Sequence, residues 1–281
     1  MSSIEKAIER LAKSNKAAAS AETTPTHNFD EGTYQEKTAQ PSAIQVQLDY
    51  ETLSKIGYIV PDAGNKVLSE EYRIIKRPII RNALGKGAAP ITNGNLVSIS
   101  SSLPSEGKTF TAFNLALSIS TEMDSTVLLI DGDVLKCSMS KLLGIEKEKG
   151  LIDLLNDKQT SVRDVIIHTQ IPRLKLMSAG TRSEKTTELL ASKEMERLLD
   201  ELSDRYKDRI IIFDAPPILA TSEAGVLNQH MGQILLVVEA GQTPVDAIKD
   251  SLSRFDDEKA VGLVLNKSRE GNGANYYGTY Y

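Results

Sequence analysis

Three residue groups in this chain could do chemistry together. Gly107, Lys108 and Thr109 sit in "LVSISSSLPSEGKTFTAFNLALSIS", between a strand-like run and an amphipathic helical run. Backbone N–H groups at such a helix start favour a multiply charged anion, and a glycine lets the chain approach a phosphate without a Cβ. A lysine there can reach terminal phosphates, and a hydroxyl beside it can ligate Mg²⁺. Further on, "TVLLIDGD" puts Asp131 and Asp133 at a strand end, and "RIIIFD" does the same for Asp214. Ligands of open α/β sheets sit outside the carboxyl ends of the strands, so the loop and three carboxylates converge on one edge. The phosphate-loop pattern wants a glycine at 102, where Ser102 stands.

The elements that must position these groups are short apolar strands alternating with helices. Strand candidates are "LVSIS", "TVLLID", "LKLMSA", "RIIIFD", "QILLVVE" and "VGLVLN", with helical stretches at 108–121, 188–205 and 244–254. That alternation predicts an α/β fold, a mostly parallel sheet with helices on both faces. Upstream, "VLSEEYRIIKRPII" reads as a helix as far as Pro78, with Glu70, Arg73 and Lys76 along one side, and "AIQVQLDY" as a short strand. Residues 1–13 have the spacing of an amphipathic helix, with Ile4, Ile8 and Leu11 on one face, and 14–42 lack period and large apolar groups. The organisation read from these shifts is a helix and flexible linker over 1–64, one domain over 65–266, and a loose tail over 267–281.

The chain has 281 residues, and its net charge of -5 argues against a general nucleic-acid binder. Cys137 is the only cysteine, which excludes an internal disulfide. No run approaches the roughly 18 apolar residues of a membrane span, and the charged start is unlike a secretory signal. The expectation is a cytoplasmic protein whose membrane role, if any, needs a partner. His27, His168 and His230 are too scattered for a metal set.

"SSLPSEGKT", "LLIDGD" and "IIIFDAPP", in this order and spacing, resemble the Walker A, Walker A′ and Walker B motifs of bacterial P-loop tyrosine autokinases. These kinases belong to capsule and exopolysaccharide export systems. The resemblance extends over roughly residues 65 to 281 and includes "EEYRIIKRP", "GLIDLL", "TTELLAS", "VVEAGQTPVDAI" and "GLVLNKS". It implies a P-loop NTPase fold, ATP and Mg²⁺ as cofactors, and tyrosine phosphorylation. Its nucleotide site would be Pro104, Ser105, Glu106, Gly107, Lys108, Thr109 and Phe110, with Asn266 facing the adenine. The metal would be held by Thr109, Asp131 and Asp214.

Lys108, Asp131 and Asp133 are the catalytic candidates. Asp131 would orient the incoming hydroxyl and accept its proton, with Asp133 sharing the metal or the base role; the sequence does not separate the two. Four of the last six residues are tyrosines, Tyr276, Tyr277, Tyr280 and Tyr281, and the resemblance makes them phosphoacceptors. It also implies a ring-shaped homo-oligomer through Glu70, Arg73 and Lys76, where lysine replaces an arginine. An inner-membrane polysaccharide chain-length regulator would be the partner, and would recruit the kinase to the membrane. Leu135 departs from the family by standing where an arginine is usual. Two rivals remain at this stage: a partition-type ATPase, whose signature lysine would occupy position 103 where Leu103 stands, and a non-catalytic protein that binds ATP only to change shape.

Overall fold

The computed structural model describes residues 44–61, 65–205, 209–256 and 258–268. The readings of 1–13, 14–42 and the tyrosine tail lie outside them. Eight strands form one sheet: β1 (Gln45–Val46), β2 (Leu96–Ser101), β3 (Thr126–Asp131), β4 (Ile167–Thr169), β5 (Leu174–Met177), β6 (Arg209–Asp214), β7 (Gln233–Glu239) and β8 (Ala260–Asn266), in the order β1-β4-β5-β3-β6-β2-β7-β8. All pairings are parallel except β4 with β5. The central strands are buried on both faces, which is why they read as unbroken apolar runs.

Side chains alternate across the sheet, and each set finds its own helical layer. On one face Val97, Ile99, Leu129, Ile212 and Val237 pack against α1 (Tyr50–Lys55), α2 (Lys66–Ala83), α3 (Lys108–Ile119) and α4 (Ser138–Leu142). On the other, Leu96, Leu128, Ile130, Phe213 and Ile234 meet α5 (Leu151–Asn156), α6 (Val162–Val165), α7 (Thr186–Leu190), α8 (Lys193–Arg205) and α9 (Ser222–Gln229). The helix α10 (Val245–Leu252) covers Leu236 and Val238. Phe113 and Phe213 are fully buried, one per layer. Truncating either to alanine costs roughly 3–5 kcal/mol.

Three local expectations are corrected. The folded unit begins upstream of residue 65: Leu48, Leu53, Tyr58 and Val60 are buried in the first core layer. The helix does not stop before Pro78 but runs through it to Ala83. An internal proline costs about 3 kcal/mol, and here burial of Tyr72 before it and Ile79 after it holds both halves down. The third concerns Lys76, read as part of an outward-facing set. Glu70 and Arg73 do pair on the surface at 2.6 Å. Lys76 is buried, and its ammonium donates to the Ser118 carbonyl at 2.8 Å and pairs with Glu122 at 2.7 Å. Six residues at 100° each turn a side chain roughly 120° from Glu70, onto the stripe of Tyr72 and Ile79.

Candidate active site

The strand order sets β3, β6 and β2 side by side, so their carboxyl ends meet. Asp131 and Asp214 are register partners across β3 and β6, and Ile99 of β2 pairs with Asp214. The loop leaving β2 turns into α3 at Gly107, whose φ of 99° is left-handed. A Cβ there would fall 2.0 Å from the Asn266 amide nitrogen, so the position tolerates only glycine. Ser105 is also left-handed, at φ 69°.

Ser102, the departure from the glycine pattern, is fully buried and has no positive φ. Its hydroxyl accepts from Ser251 of α10 at 2.9 Å, so the side chain fastens the loop to a neighbouring helix. Ser100 Oγ donates to the Pro216 carbonyl at 2.6 Å and ties β2 to the segment after Asp214. Pro104 and Ser105 are exposed on the loop. Phe110 turns its ring away, onto Tyr58 at a centroid distance of 5.0 Å.

The Lys108 ammonium lies 2.9 Å from the Asp133 carboxylate, and both side chains are buried. Burial works against the charge, but the Asp214 and then the Asp133 carboxylate outweigh it and raise the lysine pKa. Asp131 is occupied otherwise: it accepts from Ser140 N and Oγ at 2.8 and 2.7 Å, and from Asp133 N at 3.2 Å. Burial pushes its pKa up to about 6 against those hydrogen bonds. Asp133, not Asp131, is therefore the carboxylate that touches the loop lysine, a distinction invisible in the sequence. Ser140 was also missed, because a serine one turn into a short helix carries no signal.

Asp214 is fully buried and neither of its oxygens has a well-formed hydrogen bond. Burial raises its pKa to about 7; Lys108 is the largest opposing influence, and the nearby Thr109 hydroxyl also opposes the shift. Two orphaned carboxylate oxygens beside a hydroxyl and a phosphate loop are a set that a hard cation would satisfy. No group of three or more acidic, His or Cys side chains could enclose a metal among the described residues. Mg²⁺ keeps several waters and takes the rest of its shell from one or two protein oxygens and substrate phosphates, a need that the Thr109 hydroxyl and the Asp214 carboxylate fit.

A groove of about 500 Å³ runs from this loop between α2 and β8, lined by Tyr72, Ile75, Phe110, Leu265 and Asn266. A larger cavity, of about 790 Å³, opens at the opposite end of the strands among Asn82, Thr92, Gln229 and Lys259. It holds no constellation able to do chemistry. Leu135 is 40% exposed, with no cation in its place.

The AAA domain family matches residues 95–255. Tyrosine-protein kinase YwqD of Bacillus subtilis (strain 168) is 31% identical over 75% of this chain and 86% of its own length. The chain belongs to the bacterial P-loop tyrosine kinases. Tyrosine-protein kinase ptk of Acinetobacter johnsonii is 34% identical over 61% of this chain, and the match spans 23% of that longer protein. Among solved structures, the VpsO kinase domain superposes with a TM-score of 0.59 at 28% identity, over 72% of this chain and 97% of that one. No helix among the described residues is long and apolar enough to cross a membrane.

Proposed function

We propose that this chain is an ATP-dependent protein-tyrosine kinase that phosphorylates Tyr276, Tyr277, Tyr280 and Tyr281 of an adjacent copy. The observation that carries the reading is the Lys108–Asp133 pair standing beside the orphaned carboxylate of Asp214. Thr109 and Asp214 would hold Mg²⁺, which when bound spreads and neutralises charge on the transferring phosphate. Asn266 and the adjoining groove would receive the adenine.

Phosphoryl transfer needs positioning and charge neutralisation more than covalent help. Lys108 is held beside Asp133 in the resting site and is drawn to the β- and γ-phosphates when they arrive. That frees Asp133 to orient the tyrosine hydroxyl. A carboxylate near pKa 4 cannot deprotonate a ground-state phenol near 10, but it can accept the proton late, as oxygen bonds to phosphorus. Asp131 positions Asp133 through the backbone N–H it accepts.

Thirteen residues follow Ser268, and an unordered chain of that length would span roughly 20 Å, enough to reach a neighbouring subunit. Each phosphate adds about -1.5 to -2 charges, which repel the acidic strand ends and loosen a ring built through Glu70 and Arg73. In the cell the partner would be an inner-membrane regulator of exopolysaccharide chain length.

The test is intact-mass analysis after incubation with Mg-ATP, beside Lys108→Met and a chain truncated after Gly273. Phosphate should appear only in the parent, on up to four tail tyrosines. Release of free phosphate without phosphotyrosine would make the chain an ATPase, and neither product would make it a scaffold.

A further inference from the structure

The end of β8 is fastened to the phosphate loop from outside. Asn266 Nδ2 donates to the Glu106 carbonyl at 2.8 Å, and Lys267 Nζ donates to the Ser105 carbonyl at 2.7 Å. The same ammonium pairs with Glu239 of β7 at 2.8 Å, which fixes its direction. From these contacts we infer that Asn266 and Lys267 are positioning residues for the phosphate loop: by holding two carbonyls they aim the two amides that follow. The inference rests on the nucleotide-binding reading above and extends it to residues that touch no phosphate.

The reason is peptide geometry. No cis bond occurs among the described residues, and in a planar trans peptide the C=O and the next N–H point in opposite directions. Drawing the Ser105 and Glu106 carbonyls toward β8 therefore turns the N–H groups of Glu106 and Gly107 away from it. Neither amide donates a backbone hydrogen bond among the described residues, although Glu106 is buried. Orphaned N–H groups in buried backbone are rare and call for a partner, and an anion in the loop would supply one.

Backbone strain points the same way. Ser105 and Lys267 both lie at positive φ, 69° and 57°, a region that costs a non-glycine residue and persists only when neighbours enforce it. The Glu106 side chain, whose negative charge would oppose a phosphate, is also restrained: it accepts from Leu103 N at 2.7 Å and from the Thr243 hydroxyl. Lys267 thus serves the site through Ser105, its charge spent on Glu239 and a carbonyl.

The experiment measures binding of MgADP, MgATP and adenosine by calorimetry, with tail phosphorylation at saturating nucleotide, in the full chain. Lys267→Met and Asn266→Ser should each weaken MgADP and MgATP by about tenfold and to the same degree. Adenosine affinity should hold within twofold for Lys267→Met, its phosphorylation rate at saturation within threefold, and Lys267→Arg should recover most of the loss. Unchanged MgADP affinity in both variants would overturn the inference. So would a loss confined to MgATP, which would make Lys267 a direct γ-phosphate ligand, or an equal loss for adenosine, which would indicate a general collapse. If the parent forms no phosphotyrosine while Lys267→Met still weakens MgADP, the kinase reading fails and the positioning role stands.

Discussion

The Lys76 ammonium lies 2.7 Å from the Glu122 carboxylate, just past the C-terminal end of α3, and also binds the Ser118 carbonyl inside that end. That carbonyl also accepts from the Thr121 N–H and hydroxyl, and the cation complements the negative end of the helix. Lys76→Met should lower unfolding stability by about 1–2 kcal/mol in a denaturant titration, because it removes the charge-assisted bond to Ser118 and the pair with the half-exposed Glu122. Glu70→Ala and Arg73→Ala break an exposed pair, and each should change it by no more than about 0.5 kcal/mol. Their effect should appear in oligomer size by light scattering. A fully stable Lys76→Met protein with a changed oligomer would place Lys76 at the interface after all.

Asp133 and Asp131 should fail differently. Asp133→Asn removes the proposed proton acceptor and should slow tail phosphorylation by about 10²–10⁴-fold. It also frees Lys108 and removes a charge that repels the triphosphate, so MgATP should bind as tightly as before or tighter. Asp131→Asn disturbs the Ser140 bonds, and its loss of rate should come with a lower melting temperature. Equal rates for Asp133→Asn and the parent would remove Asp133 from the mechanism.

The buried carboxylates set a pH dependence. Burial raises the folded pKa of Asp214 to about 7 and of Asp131 to about 6, against 3.8 as the ordinary value. A raised carboxyl pKa means that the folded state holds its proton more tightly than the unfolded chain does. The stabilisation is complete below about pH 4 and is lost as pH rises through 6 to 7. For Asp214 alone it is on the order of 4 kcal/mol. Metal-free protein should therefore lose this contribution between about pH 4 and 7, and Asp214→Asn should flatten the slope. Binding of MgADP near pH 6.5 should release protons, read from calorimetry in buffers of different ionisation enthalpy. Removing Mg²⁺ with a chelator should abolish the release.

Ser102→Gly restores the usual loop pattern and tests whether the departure is a defect. It deletes the bond to Ser251 and adds backbone freedom, so stability should fall by about 1–2 kcal/mol. Phosphorylation at saturating ATP should stay within about threefold of the parent. A large gain in rate would mean that serine impairs the loop.

Much of this architecture could be read in advance. The strands β2, β3, β6 and β7 are apolar runs because the sheet is covered there, Asp131 and Asp214 announce themselves by standing at strand ends, and Lys108 by opening the helix after β2. What escaped depends on contacts distant in sequence. Ser102 meets Ser251 across 149 positions and Lys267 meets Ser105 across 162, and no local pattern encodes either. Lys76 was misread because a six-residue step on a helix is not a return to the same face. In the folded segment 44–61 the strand was legible in "AIQVQLDY", but α1 escaped because six residues are too few for a helical period to register.

The seating of β6 between β2 and β3 has a consequence for control. Adjacent strands in a hydrogen-bonded ladder stay about 4.8 Å apart, and β6 is laced to β3 from Arg209 to Asp214 and to β2 from Ile211 to Asp214. The phosphate cradle and the two acid-bearing strand ends cannot be drawn apart without breaking the middle of the molecule. On the proposed reading, a switch would act by admitting or withholding the phenol while the acid-bearing strand ends stay side by side.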